Sequence, residues 1–99
     1  MELERVISIL RKNRETLTSR GIKHIAVFGS VARGEAHDAS DIDLAVDINH
    51  DMKLGISDFH LIREYIADLL KTDVDLVSVP VRFKPRLQAA IDRDRIAAF

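Results

Sequence analysis

The 99-residue chain contains no cysteine, so disulfides and thiolate metal sites are excluded, while a reducing compartment is permitted. No apolar run approaches the roughly 18–20 residues that a membrane-spanning helix needs. The N-terminal stretch MELERVISILRK alternates charged and apolar residues and lacks a cleavable signal pattern, so a cytoplasmic protein is expected. An excess of one charge is also missing. Fifteen basic and 16 acidic residues leave a net charge of −1, which gives no broad positive field for stand-alone binding of a nucleic-acid backbone. The four histidines (His24, His37, His50 and His60) show no metal-ligand spacing such as His-Glu-x-x-His. Repeats, low-complexity stretches and interdomain linkers are absent as well.

What is present is the composition of a globular domain, 46% hydrophobic and 31% charged, and a length that fits one domain over residues 1–99. From Glu2 to Arg20, the apolar residues Leu3, Val6, Ile7, Leu10 and Leu17 fall at helical spacing, and Gly21 follows at a typical helix end. HIAVF (24–28) reads as a buried strand broken by Gly29 and Ser30. DIDLAVD (41–47) alternates apolar and acidic residues, the period-2 signature of a strand with one face in the core. After a polar loop, Ile56, Phe59, Ile62, Ile66, Leu69 and Leu70 form a helical stripe, with Ser57 or Asp58 as its expected N-cap. VDLVSV (74–79) is a third strand, closed by Pro80. Beyond Pro85 a last helix is expected to carry Leu87, Ala90, Ile91 and Ile96. The order predicts an α/β fold, a small mixed sheet flanked by helices. The link from Phe28 to Asp41 leaves the sense of the second strand open.

The residues that carry chemistry lie in GSVARGEAHDASDIDLAVD (29–47). Asp41 and Asp43 are two apart on a strand, so both carboxylates point to one face. Near a cleft their repulsion is relieved by a hard cation such as magnesium, which prefers oxygen ligands and shares them with substrate phosphates. Asp73 and Asp75 repeat the spacing on the next strand, and either would complete a cluster of three acids able to hold two ions. Asp75 is preferred because it lies inside the strand; Asp73, at the entry, remains a close competitor. Gly29-Ser30 follows a buried strand, where exposed backbone N–H groups attract phosphate and glycine permits close approach. Arg33 is close enough to meet a phosphate oxygen. Singly, a Gly-Ser pair is most often a turn, a strand DxD a solvated face and an arginine a surface charge.

Together these residues form a longer pattern. Gly29-Ser30, ten residues from Val31 to Ser40, then Asp41-Ile42-Asp43 resembles the GSx10DxD signature of the polymerase β nucleotidyltransferase superfamily. The wider string GSVARGEA…SDIDLAV resembles the minimal nucleotidyltransferase (MNT) branch, small prokaryotic proteins usually paired with a HEPN-domain partner. The resemblance covers nearly the whole chain, since the VDLV strand and the last helix also fall where the family has them. It implies the polymerase β-type fold, with Gly29, Ser30 and Arg33 at the triphosphate of ATP and Asp41, Asp43 and Asp75 as catalytic ligands of magnesium, two ions in all. It further implies transfer of AMP to a tyrosine of a HEPN ribonuclease toxin, the chain acting as antitoxin. A binding module that silences its partner without turnover is the alternative. The C-terminal segment VRFKPRLQAAIDRDRIAAF reads as an amphipathic helix finishing the core, or as a docking surface for that partner or for a second copy of the chain.

Overall fold

The computed structural model describes residues 2–35 and 41–99. The N-terminal amphipathic segment forms two helices where one is expected, α1 (Leu3–Lys12) and α2 (Arg14–Ser19). The break falls at Asn13, whose side-chain amide donates to the Ile9 carbonyl at 2.8 Å. Asparagine competes in this way with the regular backbone ladder. The Tyr65 hydroxyl reaches the Asn13 side-chain oxygen at 3.4 Å, a partner 52 residues away that a local reading of the sequence does not supply. Leu17 is fully buried despite the break, so the apolar stripe still meets the core.

Strand β1 (Ile22–Phe28) is central in a four-stranded sheet of order β3-β2-β1-β4. Its neighbour β2 (Ile42–Ile48) runs antiparallel to it, which settles the sense of the link from Phe28. A register irregularity between Ile22 and His24 explains how Ile22 and Ile25, three apart, both join the main core. Helix α4 (Ile56–Leu70) carries the chain over to β3 (Val74–Ser78), which pairs with β2 in parallel. The sheet is therefore mixed, as expected. Beyond the end of β3, Val79 N–H still donates to the Val46 carbonyl at 2.9 Å.

The start of α4 differs from expectation. The capping residue is Gly55 rather than Ser57 or Asp58, and Asp58, three residues into the helix, accepts the Gly55 N–H at 2.9 Å. A carboxylate in the first turn also suits the positive end of the helix dipole. At the other end of the chain, α5 (Pro85–Asp94) opens on a proline, which loses no hydrogen bond at that position. Ile96 is not part of this helix. It belongs to β4 (Ile96–Ala97), a fourth strand that pairs antiparallel with Ala26 and Val27 of β1.

The sheet is covered on both faces. Leu44, Val46, Ile25, Val27, Val74 and Leu76 pack with Val6, Leu10, Leu17, Ile62, Ile66 and Leu70 of α1, α2 and α4. Each such side chain contributes roughly 1.5–3 kcal/mol on burial. The opposite face is thinner: Phe28 and Ala45 meet Ile91 of α5, with Val77, Val79, Val81 and Leu87 around them. Among the described residues no helix is long and apolar enough to cross a membrane. Phe83, in the loop before α5, is 95% exposed, whereas Phe99 packs against the main core.

Candidate active site

Two features of β1 create the site. Its buried run ends at Phe28, and Gly29 then turns the chain into the four-residue helix α3 (Gly29–Ala32) with φ +75°. That region of backbone space is readily adopted only by glycine. Because Phe28 stands opposite Asp43 in the β1–β2 register, the turn brings Gly29 against the Asp43 carboxylate. A Cβ built on Gly29 would collide with Asp43 Oδ2 and approach its Cγ to 3.1 Å. Ser30 is half-buried in the first turn of α3, where backbone N–H groups have no partner within the helix.

On its other side Asp43 faces Asp75. The parallel register pairs Ile42 with Val74, Asp43 with Asp75 and Leu44 with Leu76, so the two acids stand on one sheet face in adjacent strands. Asp41 precedes β2 and is exposed. Burial pushes the half-buried Asp43 carboxyl above the ordinary carboxylate range, and the negative charges of Asp75 and then Asp41 push it further. Arg33 partly offsets this. Asp73 is not among the groups that act on Asp43; its backbone carbonyl instead accepts the Ile42 N–H at 3.2 Å. The structure thus brings Gly29, Asp41, Asp43 and Asp75 to one rim of the sheet. Asp73 closes the strand pair beside them.

Residues 4–97 of the chain match the family model for a nucleotidyltransferase domain. The chain belongs to that family. It is 41% identical over 78 residues to protein adenylyltransferase MntA of Thermococcus cleftensis, covering 78% of this chain and 77% of that one. A solved structure described as a minimal nucleotidyltransferase superposes with a TM-score of 0.70 at 34% identity, over 97% of this chain and 95% of that one. The fold is shared with the MNT antitoxin of Shewanella oneidensis, solved in complex with a tri-AMPylated HEPN toxin. There the TM-score is 0.64 at 20% identity, over 94% of this chain and 71% of that one. The protein is accordingly a nucleotidyltransferase of the minimal type.

In this nucleotidyltransferase Arg33 makes contacts that its sequence position does not announce. Its Nη1 donates to Asp94 Oδ2 at 2.7 Å and its Nε to Glu35 Oε2 at 3.0 Å. Asp94 also accepts from Arg93, Nε to Oδ1 at 2.9 Å and Nη2 to Oδ2 at 3.1 Å. Hydrogen bonds from Arg93 and from Arg33 hold the Asp94 carboxyl down to about 2. Neither Asp94 nor Glu35 stands out in the sequence, where RDR reads as ordinary helix-end charge.

The donor set suits a hard divalent cation. Asp41, Asp43 and Asp75 offer only carboxylate oxygens, and their mutual repulsion at Asp43 is what such an ion relieves. Among the described residues no three acidic or imidazole side chains converge tightly enough to cage an ion by themselves. A cavity of about 560 Å³ lies on the α5 side of the same sheet, toward the start of β1 and the end of β2. It is lined by His24, Ala45, Asp47, Gln88 and Arg95 among others and includes none of the expected site residues.

Proposed function

We propose that the chain transfers AMP from ATP to a protein hydroxyl, a tyrosine of a partner HEPN ribonuclease toxin, and so acts as its antitoxin. One observation carries this reading: Asp43, in register with Asp75 on the neighbouring strand, lies against the glycine turn that ends β1. This juxtaposition supports a role for the acids as oxygen ligands next to a turn that could receive phosphate. The adenylyltransferase name of the Thermococcus cleftensis relative and the AMPylated toxin held by the Shewanella oneidensis protein agree with the substrate class. The reaction would run in the cytoplasm, where ATP and magnesium are plentiful.

In this reading Gly29 and Ser30 receive the triphosphate with backbone N–H groups and the serine hydroxyl, and Arg33 meets a phosphate oxygen with its guanidinium. Asp41, Asp43 and Asp75 would hold magnesium, two ions in all. Bound there, magnesium would neutralise charge on the reacting phosphate and ease deprotonation of the acceptor. The acceptor oxygen attacks the α-phosphorus in line. One P–O bond to the acceptor forms, the bond to the β-phosphate bridging oxygen breaks, pyrophosphate leaves and the hydroxyl proton is released. Positioning and electrostatic stabilisation supply most of the catalysis in such transfers.

The test is transfer of α-labelled ATP with magnesium onto a co-purified HEPN partner, beside the Asp41→Ala/Asp43→Ala double variant. Label on the partner that vanishes in the variant is expected. If neither form labels the partner while both still bind and silence it, the chain neutralises by contact alone and the enzymatic reading falls.

A further inference from the structure

Arg33 lies 61 residues from Asp94 in sequence, yet the two share a 2.7 Å ion pair that leaves the Asp94 side chain only 5% exposed. The carboxylate is itself fixed from several directions. It ends α5, whose Ile91 is fully buried against Phe28 and Ala45. Immediately afterwards the chain returns to β1 through β4, with Ala98 N–H donating to the Ile25 carbonyl at 2.9 Å. Arg93 grips both carboxylate oxygens. An arginine on an exposed turn has several rotatable bonds and loses much freedom when it must meet a ligand in one pose. Here that freedom is already restricted. Nε and one Nη1 hydrogen are used by Glu35 and Asp94, which leaves the rest of the planar fork as the edge that would meet phosphate. Arg33 also stands one turn from the acid rim, since it ends α3 with its N–H donating at 3.1 Å to the carbonyl of Gly29, the residue that lies against Asp43.

We infer that Asp94 is a positioning residue for nucleotide binding: it holds the Arg33 guanidinium beside the acid rim, so that the end of α5 prepares the triphosphate site. The inference rests on the reading that Arg33 meets the triphosphate. It assigns a role in the active site to the last residue of α5, a helix that also covers one face of the sheet. Asp94 touches no reacting atom in this scheme and acts through Arg33.

The experiment is a double-variant cycle on the intact chain, reading the affinity for α-labelled ATP with magnesium by equilibrium dialysis, with thermal melts in parallel. Asp94→Asn is expected to weaken binding about fivefold, within the range of coupling between contacting residues. Arg33→Ala is expected to weaken it at least as much, and Asp94→Asn added to Arg33→Ala should cost nothing further. Asp94→Glu should restore most of the affinity. A lower melting temperature for Asp94→Asn with unchanged affinity would overturn the inference, because a covering role alone predicts that. Equal losses from Asp94→Asn in the wild-type and Arg33→Ala backgrounds would overturn it too. Unchanged affinity in Arg33→Ala would instead sink the assignment of Arg33 itself, and the inference with it.

Discussion

Replacing Gly29 by alanine tests the geometry of the site most directly, because it adds one methyl group at a known place. Two costs follow. The backbone at φ +75° is strained for any residue with a Cβ, which costs on the order of 1–2 kcal/mol. The methyl also collides with Asp43 Oδ2. Rotating the carboxylate relieves only part of that, since Asp43 Cγ and Cβ lie at 3.1 and 3.3 Å from the new atom and are tied to β2. A further cost of about 1 kcal/mol is reasonable for such overpacking. The total, about 2–3 kcal/mol, corresponds to a fall in Tm of roughly 8–24 °C for a domain of this size. Urea and thermal unfolding in metal-free buffer would measure it. The two costs separate in a cycle with Asp43→Ala, which removes the obstructing carboxylate but leaves the backbone strain. The double variant should be about 1 kcal/mol more stable than the sum of the single effects. Strict additivity, or a Gly29→Ala protein with the wild-type melting temperature, would refute the placement of Asp43 against the turn.

The remaining expectations concern the acids and the thin face of the sheet. Asp75→Asn should lower the rate of label transfer by about a hundredfold or more, as loss of a metal-holding carboxylate does, while Asp73→Asn should stay within about threefold; the reverse order would exchange their roles. Asp94, held down to about 2 from its usual 3.8, gives stability that is fully present above pH 4 and is lost as pH falls toward 2. Asp94→Asn should therefore flatten the melting temperature between pH 4 and 2, and an acid limb as steep as wild type would count against the ion pairs. Ile91→Ala should cost about 2–5 kcal/mol in urea unfolding, because Ile91 is the fully buried contact of α5, whereas Phe83→Ala should change stability by less than about 0.5 kcal/mol.

Much of this was legible from local pattern. The alternation Ile42, Leu44, Val46 against Asp41 and Asp43 gave strand, facing and acid placement together, because a side-chain period of two leaves little choice once one face is apolar. The helical stripe gave α4 through Ile62, Ile66 and Leu70, which are buried, whereas Ile56, counted with them, is 92% exposed at the first turn. What escaped was set by contacts between distant residues. Two residues, Ile96 and Ala97, have no period to read, and they form a strand only because β1 offers its free edge. Asn13 breaks the first helix with help from Tyr65 on α4. The Arg33–Asp94 pair joins segments whose meeting depends on α5 crossing the sheet. Even which of Asp73 and Asp75 stands opposite Asp43 needed the β2–β3 register.

The β2–β3 register also bears on how the chain folds. Pairing Leu44 with Leu76 and Ile42 with Val74 closes the main core, and the same motion sets Asp43 beside Asp75. Docking of the crossover strand thus gathers apolar contacts and like charges in a single step, after the loop-closure entropy of α4 has been met. A register slipped by one residue would separate the acids but turn Val74 and Leu76 out of the core. The hydrophobic pattern of β3 therefore enforces an electrostatic conflict, because the smallest slip that would part Asp43 from Asp75 also exposes the core residues of β3.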